Sequence, residues 1–453
     1  MEQFFHTLRA FYHGRVYPIL VAALIFVGHS TELEVLFGGL MLLTLIGGCL
    51  VCHDLRFAIT PFLCTIFAVA INHSPNVPNY SRYYLEPTVL TTLVILIVLL
   101  IGALIFFAIR NRALAARPKR GGAWVGMATF CAALCFNGLF SHNYVIHNFF
   151  YVCSFLLSML AVYLLFSAYV LFDRDTLEYF MYCLVVSVML IAAELVFAYL
   201  TTVRFVEGEV VKESVVLGWG VWTAIGGMLA MLMPSCFYFA ASHKRGFVGY
   251  LLGFFVYFCI LLSQSRGALL VGSVLLVLCL ASLCLWGENK KRNRIYTAVL
   301  LCLGVLGGLF LREQLMGLLQ NFLTYGFGDN GRFEKWKIGW GHFLANPVFG
   351  SGFYEFNNEA EWAKDVYPYL YHNTLIQLLG ATGIFGFVAY LYHRYTTWRL
   401  VLHRPSIYKT FLGIGILGLL LFSLLDVLFF NTYPTIFYSL MLLFMERSEE
   451  ITE

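Results

Sequence analysis

The sequence predicts an all-α membrane protein that crosses the bilayer many times, and its composition and apolar runs support that prediction. Of its 453 residues, 60% are hydrophobic and only 12% are charged, which departs from soluble globular proteins. Apolar runs of about 17 to 22 residues recur to about residue 446, and this length suits a helix that spans a bilayer. The runs are continuously apolar, whereas the strands of an outer-membrane barrel would alternate apolar and polar residues.

Taken in order with their turn residues, the runs predict about 12–14 transmembrane helices. The predicted helices lie near residues 17–29, 33–51, 57–72, 88–109, 123–140, 148–171, 178–200, 215–240, 247–263, 267–286, 295–311, 374–392, 410–430 and 434–446. Alternate loops are basic, and they include Arg110 to Arg120, Lys290 to Arg294, and Arg394 to Lys409. The positive-inside rule therefore predicts that these loops and both termini face the cytoplasm.

Twelve cysteines lie in or at the ends of the apolar runs, so they are predicted to be small core residues on helices. Cys49 and Cys52 form a CxxC motif, and Cys131 and Cys135 lie one helical turn apart. A zinc or redox site is the alternative, but further ligands near these pairs are missing.

One connection is much longer than the others, about sixty residues from Arg312 to Tyr371, and it is predicted to be external. A loop of this length is uncommon unless it is functional. Within it, apolar residues recur at helical spacing and a helix stop follows at Asn346-Pro347. The apolar residues are Trp336, Trp340, Phe343 and Leu344. The pattern predicts an amphipathic helix, either at the outer membrane surface or packed on the protein's own top.

Three external arginines are candidates for binding an anion. Arg266 lies in a short polar break between two apolar runs, where an arginine is costly unless it is solvated, paired or bound to an anion. A snorkelling arginine at the interface is the alternative. Arg332 precedes the amphipathic helix, and Arg204 follows another span. Arg204 is followed by three glutamates, so pairing within its own loop is an alternative for it.

His372 is the candidate general base, because imidazole can take a proton from a hydroxyl near neutral pH. It ends the long external loop, beside Asn373, which can cap the next helix. A structural hydrogen-bonding role is the alternative, and four other histidines compete for the external role. They are His73, His142, His147 and His342.

Short motifs follow one another in order over residues 215–392. They are Ser265-Arg266-Gly267, Gly331-Arg332 with Trp336, Asn346-Pro347-Val-Phe-Gly350-Ser-Gly352, His372-Asn373 with Gln377, and Gly383-Ile-Phe-Gly386. The ordered set resembles the O-antigen ligase/polymerase family of bacterial membrane glycosyltransferases. The resemblance implies a GT-C-like transferase in the bacterial cytoplasmic (inner) membrane, with its active site on the outer face and with no metal or cofactor.

The resemblance also implies a reaction and a set of roles. A glycan moves from undecaprenyl diphosphate to an acceptor hydroxyl in O-antigen or capsule assembly, by a polymerase or a ligase. Arg266 and Arg332 are expected to hold the donor diphosphate, and His372 to assist the acceptor. The further substrate-binding candidates are Arg204, Asn373 and Trp336. The catalytic residues are expected to converge on one external cavity that is open sideways to lipid.

The expected partners follow from this reaction. They are the undecaprenyl-diphosphate-linked oligosaccharide donor, a glycan or lipid-linked acceptor, the lipid bilayer and other polysaccharide-assembly proteins, with no nucleic acid. No residue separates polymerase from ligase, and only the number of spans favours a polymerase. A glycoside hydrolase would need a pair of carboxylates, and none is found at a matching place.

Three regions are predicted: N-terminal transmembrane helices over 1–214, the ligase/polymerase-like core with external loop 312–373 over 215–392, and C-terminal transmembrane helices with a cytoplasmic tail over 393–453. A transporter or lipid-linked oligosaccharide flippase is the alternative function. Glu194 and Asp426 fall in predicted spans, where carboxylates often mark ion paths. They are otherwise predicted to be hydrogen-bonding partners between helices, able to be protonated. The two halves show no self-similarity, which favours the transferase.

Overall fold

The computed structural model describes residues 2–69, 87–116, 118, 122–142, 152–206, 209–243, 246–286, 289–310, 312, 331–353 and 371–451. Within them the chain is almost entirely helical, which confirms the predicted all-α class. The helices are α1 (Glu2–His13), α2 (Val16–Thr31), α3 (Glu34–Val51), α4 (Ile59–Cys64), α5 (Pro87–Arg110), α6 (Ala123–Phe140), α7 (Val152–Tyr169), α8 (Arg174–Thr201), α9 (Trp222–Leu232), α10 (Pro234–Ser242), α11 (Phe247–Leu262), α12 (Arg266–Leu285), α13 (Lys290–Phe310), α14 (Arg332–Ala345), α15 (Thr374–Leu402), α16 (Ile407–Phe422) and α17 (Thr432–Ile451).

Four strands of two residues each form two antiparallel hairpins between α8 and α9. In the first, β1 (Phe205–Val206) pairs with β2 (Glu209–Val210). In the second, β3 (Val216–Leu217) pairs with β4 (Gly220–Val221). The segment that joins the two hairpins holds a short 3-10 turn, Lys212–Ser214.

In the described part of the chain, eight spans are long and apolar enough to cross a membrane, or nine if α1 and α2 form one span bent by 69°. This number is lower than the 12–14 predicted, although each predicted run has a helical counterpart. Several counterparts are short, such as α11 and α16. Others carry charged turns, as α17 does at its C-terminal end. The lower number therefore reflects the short helices and the charged turns among these counterparts.

Two predicted spans have different bounds in the structure, and both differences lie near the candidate site. The run predicted at 215–240 becomes helical only at Trp222, because β3 and β4 precede it. The run predicted at 410–430 ends its helix at Phe422, and a 3-10 turn at Leu428–Phe430 follows. Asp426 therefore lies in a turn and not within a helix.

Close packing at glycines holds α12 against its neighbours. A Cβ on Gly226 of α9 would lie 2.6 Å from both Ala268 Cβ and Ser263 Oγ, and a Cβ on Gly418 of α16 would lie 2.5 Å from Leu275 Cδ1. These distances leave no room for a larger side chain. The first turn of α12, which carries Arg266, is thus fixed against α9.

Helix α16 connects the two ends of the helical bundle. At its start, buried Lys409 donates to Glu449 Oε1 over 2.7 Å. Just past its other end, Ser423 O accepts from Thr374 N over 2.9 Å, beside His372. The sequence predicted Arg394 in a basic cytoplasmic loop, and that prediction was wrong. Arg394 is buried within α15, where aromatic rings surround its guanidinium.

All twelve cysteines lie in the described part of the chain and are free. Eight of them are buried, Cys49 and Cys52 included. Within the described residues, no group of three His, Cys, Asp or Glu side chains could hold a metal ion.

Candidate functional site

His372 is fixed in an uncommon backbone conformation against the turn that follows α16. Its φ is +53°, in the left-handed region that side chains with a Cβ rarely adopt. Asn373 caps α15 as predicted, because its Oδ1 accepts from Leu375 N over 2.9 Å. The Asn373 side chain also donates from Nδ2 to Leu424 O over 2.9 Å. The cap therefore joins the start of α15 to the turn that holds Asp426.

Both ring nitrogens of His372 have charged partners. Nδ1 lies 3.0 Å from Asp426 Oδ1, and Nε2 lies 3.2 Å from Lys335 Nζ. An ionised carboxylate can only accept a hydrogen bond and an ammonium can only donate one. These partners assign the hydrogen to Nδ1 and the lone pair to Nε2. This tautomer leaves Nε2 able to accept a proton.

Asp426 is poised to be ionised. Burial raises the pKa of its carboxyl, but the hydrogen bonds from His372 and Val427 N and the nearby positive charge together outweigh burial, so that the pKa lies below its ordinary value. Val427 N donates to Asp426 Oδ1 over 2.8 Å, and the charge of Arg332 acts in the same direction. Asp426 is therefore a hydrogen-bonding partner as predicted, but it lies in a turn and its partner is His372.

Glu194, the other carboxylate singled out in the sequence, lies in α8 and is fully buried. Its Oε2 accepts from Trp219 Nε1 over 2.8 Å. Trp219 belongs to the β3–β4 hairpin, so this bond holds the hairpin onto α8. Glu194 acts here as the predicted hydrogen-bonding partner, although its donor lies in a hairpin.

Arg332 and Lys335 both belong to the first turn of α14. Gly331 precedes them with a φ of +74°, which glycine adopts without strain. Residues three apart share one face of a helix, so Arg332 and Lys335 both point toward the His372 region. Lys337 is instead exposed. Lys335 lies off the apolar stripe of Trp336, Trp340, Phe343 and Leu344, and the sequence alone indicates no role for it.

The predicted amphipathic helix is present as α14, and one of its faces packs on the start of α15. A Cβ on Gly339 would lie 2.5 Å from Ile376 Cγ2 and 3.0 Å from the Tyr371 ring. His342 Nδ1 lies 2.6 Å from the Tyr371 hydroxyl. These contacts fix α14, and with it Arg332 and Lys335, relative to His372.

The other face of α14 is apolar and exposed, through Phe333, Trp340 and Leu344. Trp336 lies between the two faces, half-buried, with its ring centroid 5.1 Å from that of Phe333. Its Nε1 is buried without a hydrogen-bond partner among the described residues. The sequence predicted α14 either at the membrane surface or packed on the protein. In the structure one face packs on the protein, and the other presents exposed apolar side chains.

Arg266 begins α12 close to the turn that carries Asp426. Ser265 caps this helix by accepting from Ala268 N over 3.3 Å. A Cβ on Gly267 would lie 3.3 Å from Leu425 Cδ1. Arg266 and Asp426 are the chain neighbours of Gly267 and Leu425, the two residues in this contact.

Lys212 is a further cation at the site, from the segment between the two hairpins. Its Nζ lies 5.2 Å from the centroid of the Trp222 ring, a cation–π contact. Burial lowers the pKa of Lys212, and the charges of Arg266 and Arg332 lower it further, while Glu213 opposes them. Repulsion of this kind places each of the two arginines within electrostatic range of Lys212. We refer to Lys212, Arg266, Arg332 and Lys335 as the cation cluster.

Arg204 is placed differently. It is exposed beside the first hairpin, where its backbone N donates to Ser214 Oγ over 2.8 Å. Among the described residues, its side chain has no contact with the cation cluster or with His372. A substrate-binding role for Arg204 remains a prediction from the sequence.

Two of the sequence motifs shape α15. Gly383 has a φ of +63° and bends the helix, and a Cβ there would lie 2.4 Å from Val348 O. Ile384 N donates to Pro347 O over 2.8 Å, and Gly350 also has a positive φ, +72°. The Asn346–Gly352 motif therefore packs into the bend at Gly383–Gly386.

Sequence analysis missed Lys212, Lys335 and the role of Asp426. The spacing of three residues between Arg332 and Lys335 was a usable signal, since it places both on one face of α14. Nothing local marks Lys212, and the sequence marked Asp426 only as a carboxylate in a predicted span. Their place at the site depends on how separate segments pack together.

Comparison with known proteins agrees with the order of the motifs. Residues 248–391 match the model of the O-antigen ligase family, a segment that contains Arg266, Arg332 and His372. A search of curated protein sequences found no match. Lys212 and Asp426 lie outside the matched segment, so the site combines it with residues on either side. Residues 248–391 are thus similar to the O-antigen ligase family, in agreement with the resemblance predicted from the motifs.

Proposed function

We propose that this protein is a glycosyltransferase that moves a glycan from undecaprenyl diphosphate to an acceptor hydroxyl in cell-surface polysaccharide assembly, as polymerase or ligase. The family match supports a membrane enzyme that transfers glycans. The observation that carries the finer proposal is the pair of contacts at His372, Nδ1 to Asp426 and Nε2 to Lys335, from which the accepting form of Nε2 is inferred. A proton acceptor and a group of cations are the two elements that such a transfer needs.

In this proposal, His372 Nε2 takes the proton of the acceptor hydroxyl as its oxygen attacks the anomeric carbon of the donor sugar. Asp426 holds the imidazole through Nδ1–H and stabilises the imidazolium that forms. The Asn373 cap and its bond to Leu424 keep this geometry fixed before substrate arrives. Pre-organisation of this kind avoids rearrangement during the reaction.

The donor is held by its diphosphate. Arg266 and Arg332 present planar guanidinium groups that can bind phosphate oxygens bidentately. The glycosidic carbon–oxygen bond to the diphosphate breaks, and undecaprenyl diphosphate leaves with the bonding electron pair. The cations stabilise the charge that develops on it. No metal or cofactor takes part in the proposed reaction.

The proposed orientation places the site on the outer face of the bacterial cytoplasmic membrane and both termini in the cytoplasm. Two observations support it. His372 lies at the far end of α16 from Lys409, and the basic residues Arg399, Arg404 and Lys409 gather around the other end. The positive-inside rule favours that other end as cytoplasmic.

The alternative function, a transporter or flippase, rested partly on two carboxylates within spans. Asp426 lies in a turn beside His372, so it no longer supports an ion path through the helices. Glu194 alone remains within a span, hydrogen-bonded to Trp219. The observations at the site thus favour transfer over transport.

The test is turnover by the purified protein in lipid nanodiscs, with a defined undecaprenyl-diphosphate oligosaccharide and gel analysis of the glycan products. A ladder of products identifies a polymerase, and a single glycan joined to an added lipid acceptor identifies a ligase. His372→Ala is the matched control for contaminating activity. Absence of any transfer, together with movement of the intact donor across proteoliposome membranes, would identify a flippase and refute the proposal.

A further inference from the structure

Lys335 contacts His372 Nε2, the atom that acts as the base in the proposed mechanism. Its Nζ lies 3.2 Å from His372 Nε2, the nitrogen that must accept the acceptor's proton. A neutral imidazole is a weaker partner for an ammonium than an anion, because ionic hydrogen bonds are the stronger kind. Among the described residues Lys335 forms no ion pair. A phosphate oxygen would therefore readily replace His372 Nε2 as the partner of Lys335.

The position of Lys335 on α14 places such an oxygen within reach. Lys335 follows Arg332 by three residues, and both lie on the face that points toward His372. Arg332 is proposed to bind the donor diphosphate. A lysine side chain has four flexible methylene groups, so its ammonium can move between neighbouring acceptors while α14 stays in place. The packing of Gly339 on Ile376 keeps the helix itself fixed.

The charges of the site point to a dianion. Positive charge prevails among the described groups that act on Lys212, since Arg266 and Arg332 oppose Glu213 there. A diphosphate esterified at both ends carries two negative charges, which a group of cations attracts.

We propose that Lys335 is a further donor-binding residue, which covers His372 Nε2 until the donor arrives and then moves to the diphosphate. The proposal rests on the proposed function and deepens it. Its consequence is an order of events: the base becomes available only after the donor has bound. The acceptor hydroxyl then replaces Lys335 at Nε2.

A footprinting experiment tests this movement without requiring turnover. Diethyl pyrocarbonate acylates a histidine nitrogen that carries a free lone pair, and mass spectrometry reads the peptide that contains His372. The probe ligand is inorganic pyrophosphate. In the wild type we expect pyrophosphate to raise the acylation rate of His372 about tenfold, the size expected for loss of one charged hydrogen bond.

Two variants on the same helix complete the footprint. Lys335→Met should give fast acylation of His372 without pyrophosphate and no further rise with it. Lys337→Met, which removes an exposed lysine two residues away, should behave as the wild type. A wild-type rate that pyrophosphate leaves unchanged or lowers, or slow acylation in Lys335→Met, would overturn the proposal.

Kinetics with the lipid-linked donor separate this proposal from the function on which it rests. Lys335→Met should raise the donor KM about tenfold, since one ionic hydrogen bond is lost, and should leave kcat within about twofold because His372 remains. An active wild type with an unchanged donor KM in Lys335→Met refutes only the role of Lys335. A wild type without transfer activity refutes the proposed function, whatever the footprint shows.

Discussion

His372 and His393 both lie beside a cation, but His372 is partly exposed at the start of α15 and His393 is buried within it. His372, at the start of α15, contacts Lys335 and Asp426, and its side chain is 29% exposed. His393, within α15, is fully buried, and its Nε2 lies 3.0 Å from the Tyr438 hydroxyl. Its neighbour Arg394 is enclosed by three aromatic rings, which we call the aromatic cage: Tyr390, Phe429 and Tyr438, at 4.8, 4.6 and 5.0 Å.

The difference lies in the partners of the cations. The guanidinium nitrogens of Arg394 are buried, and ring faces stabilise its charge. A closed cage of this kind excludes a substrate. The members of the cation cluster are instead half-exposed. Beside them, the ionised carboxylate of Asp426 orients His372. A histidine and a cation are therefore able to act on a substrate only where the packing leaves them accessible and fixes the tautomer.

The largest effect should follow from His372→Ala. Loss of the proposed base should lower kcat about 100- to 10,000-fold while donor binding stays near wild type, because the arginines remain. His372→Gln, which hydrogen-bonds but accepts no proton, should be as inactive. Near-normal turnover of His372→Gln would limit His372 to orienting the acceptor. The carboxylates Glu355, Glu359, Glu361 and Asp365, which lie outside the described residues, would then be the next candidates for the base.

Asp426→Asn should have the next largest effect, on the order of 100-fold in kcat. An asparagine amide can donate to His372 Nδ1, which moves the ring hydrogen to Nε2 and removes the accepting atom. Steady-state kinetics at saturating donor measure the loss. Asn431→Ala, a change in the loop just beyond the Leu428–Phe430 turn, is the control for general disturbance of this segment. Equal losses in both variants would contradict a specific role for Asp426.

Arg332→Lys keeps the charge but loses the planar fork, so kcat/KM for the donor should fall about 10- to 100-fold. Arg204→Lys is the matched comparison, because Arg204 is exposed and its side chain has no contact with the cation cluster among the described residues. Its kcat/KM should change by less than about threefold. A similar fall in both variants would place Arg204 in the site. No fall in Arg332→Lys would show that the donor needs only a point charge there.

The ionised Asp426 also predicts a small pH dependence of stability. Its pKa is lowered in the folded protein, so its contribution is complete above the ordinary value of about 3.9 and is lost as the pH falls through the folded value. Thermal unfolding in detergent should show the wild type more stable than Asp426→Ala near neutral pH, with a difference that narrows below about pH 4. A difference independent of pH would mean that packing, and not the charge, stabilises this turn.

The smallest effect is expected for Arg394→Met. A methionine fills similar space among the rings of the aromatic cage and removes a buried charge, which is often neutral or stabilising. Transfer activity should stay within about threefold of wild type, and Tm should be equal or higher. A large loss of kcat without loss of folded protein would show that the aromatic cage, like the cation cluster, supports the reaction.

The sequence by itself determined what depends on neighbouring residues in the chain. The length of the apolar runs predicted the all-α membrane fold, the spacing of Trp336, Trp340 and Phe343 predicted α14, and Asn373 was recognised as a cap. Each of these features is local, since a helix needs only a periodic apolar face and a suitable first residue. The order of the motifs likewise led to the family that residues 248–391 match.

Only the tertiary structure decided which groups meet. Asp426 pairs with His372 across 54 residues, and Lys212 comes to the two arginines from a separate loop. Arg394 became a buried cation within an aromatic cage, although the sequence placed it in a basic loop. These outcomes depend on the angles and depths at which helices pack, which follow from close contacts such as those at Gly226 and Gly418. Such contacts join residues far apart in the chain, so no local pattern encodes them.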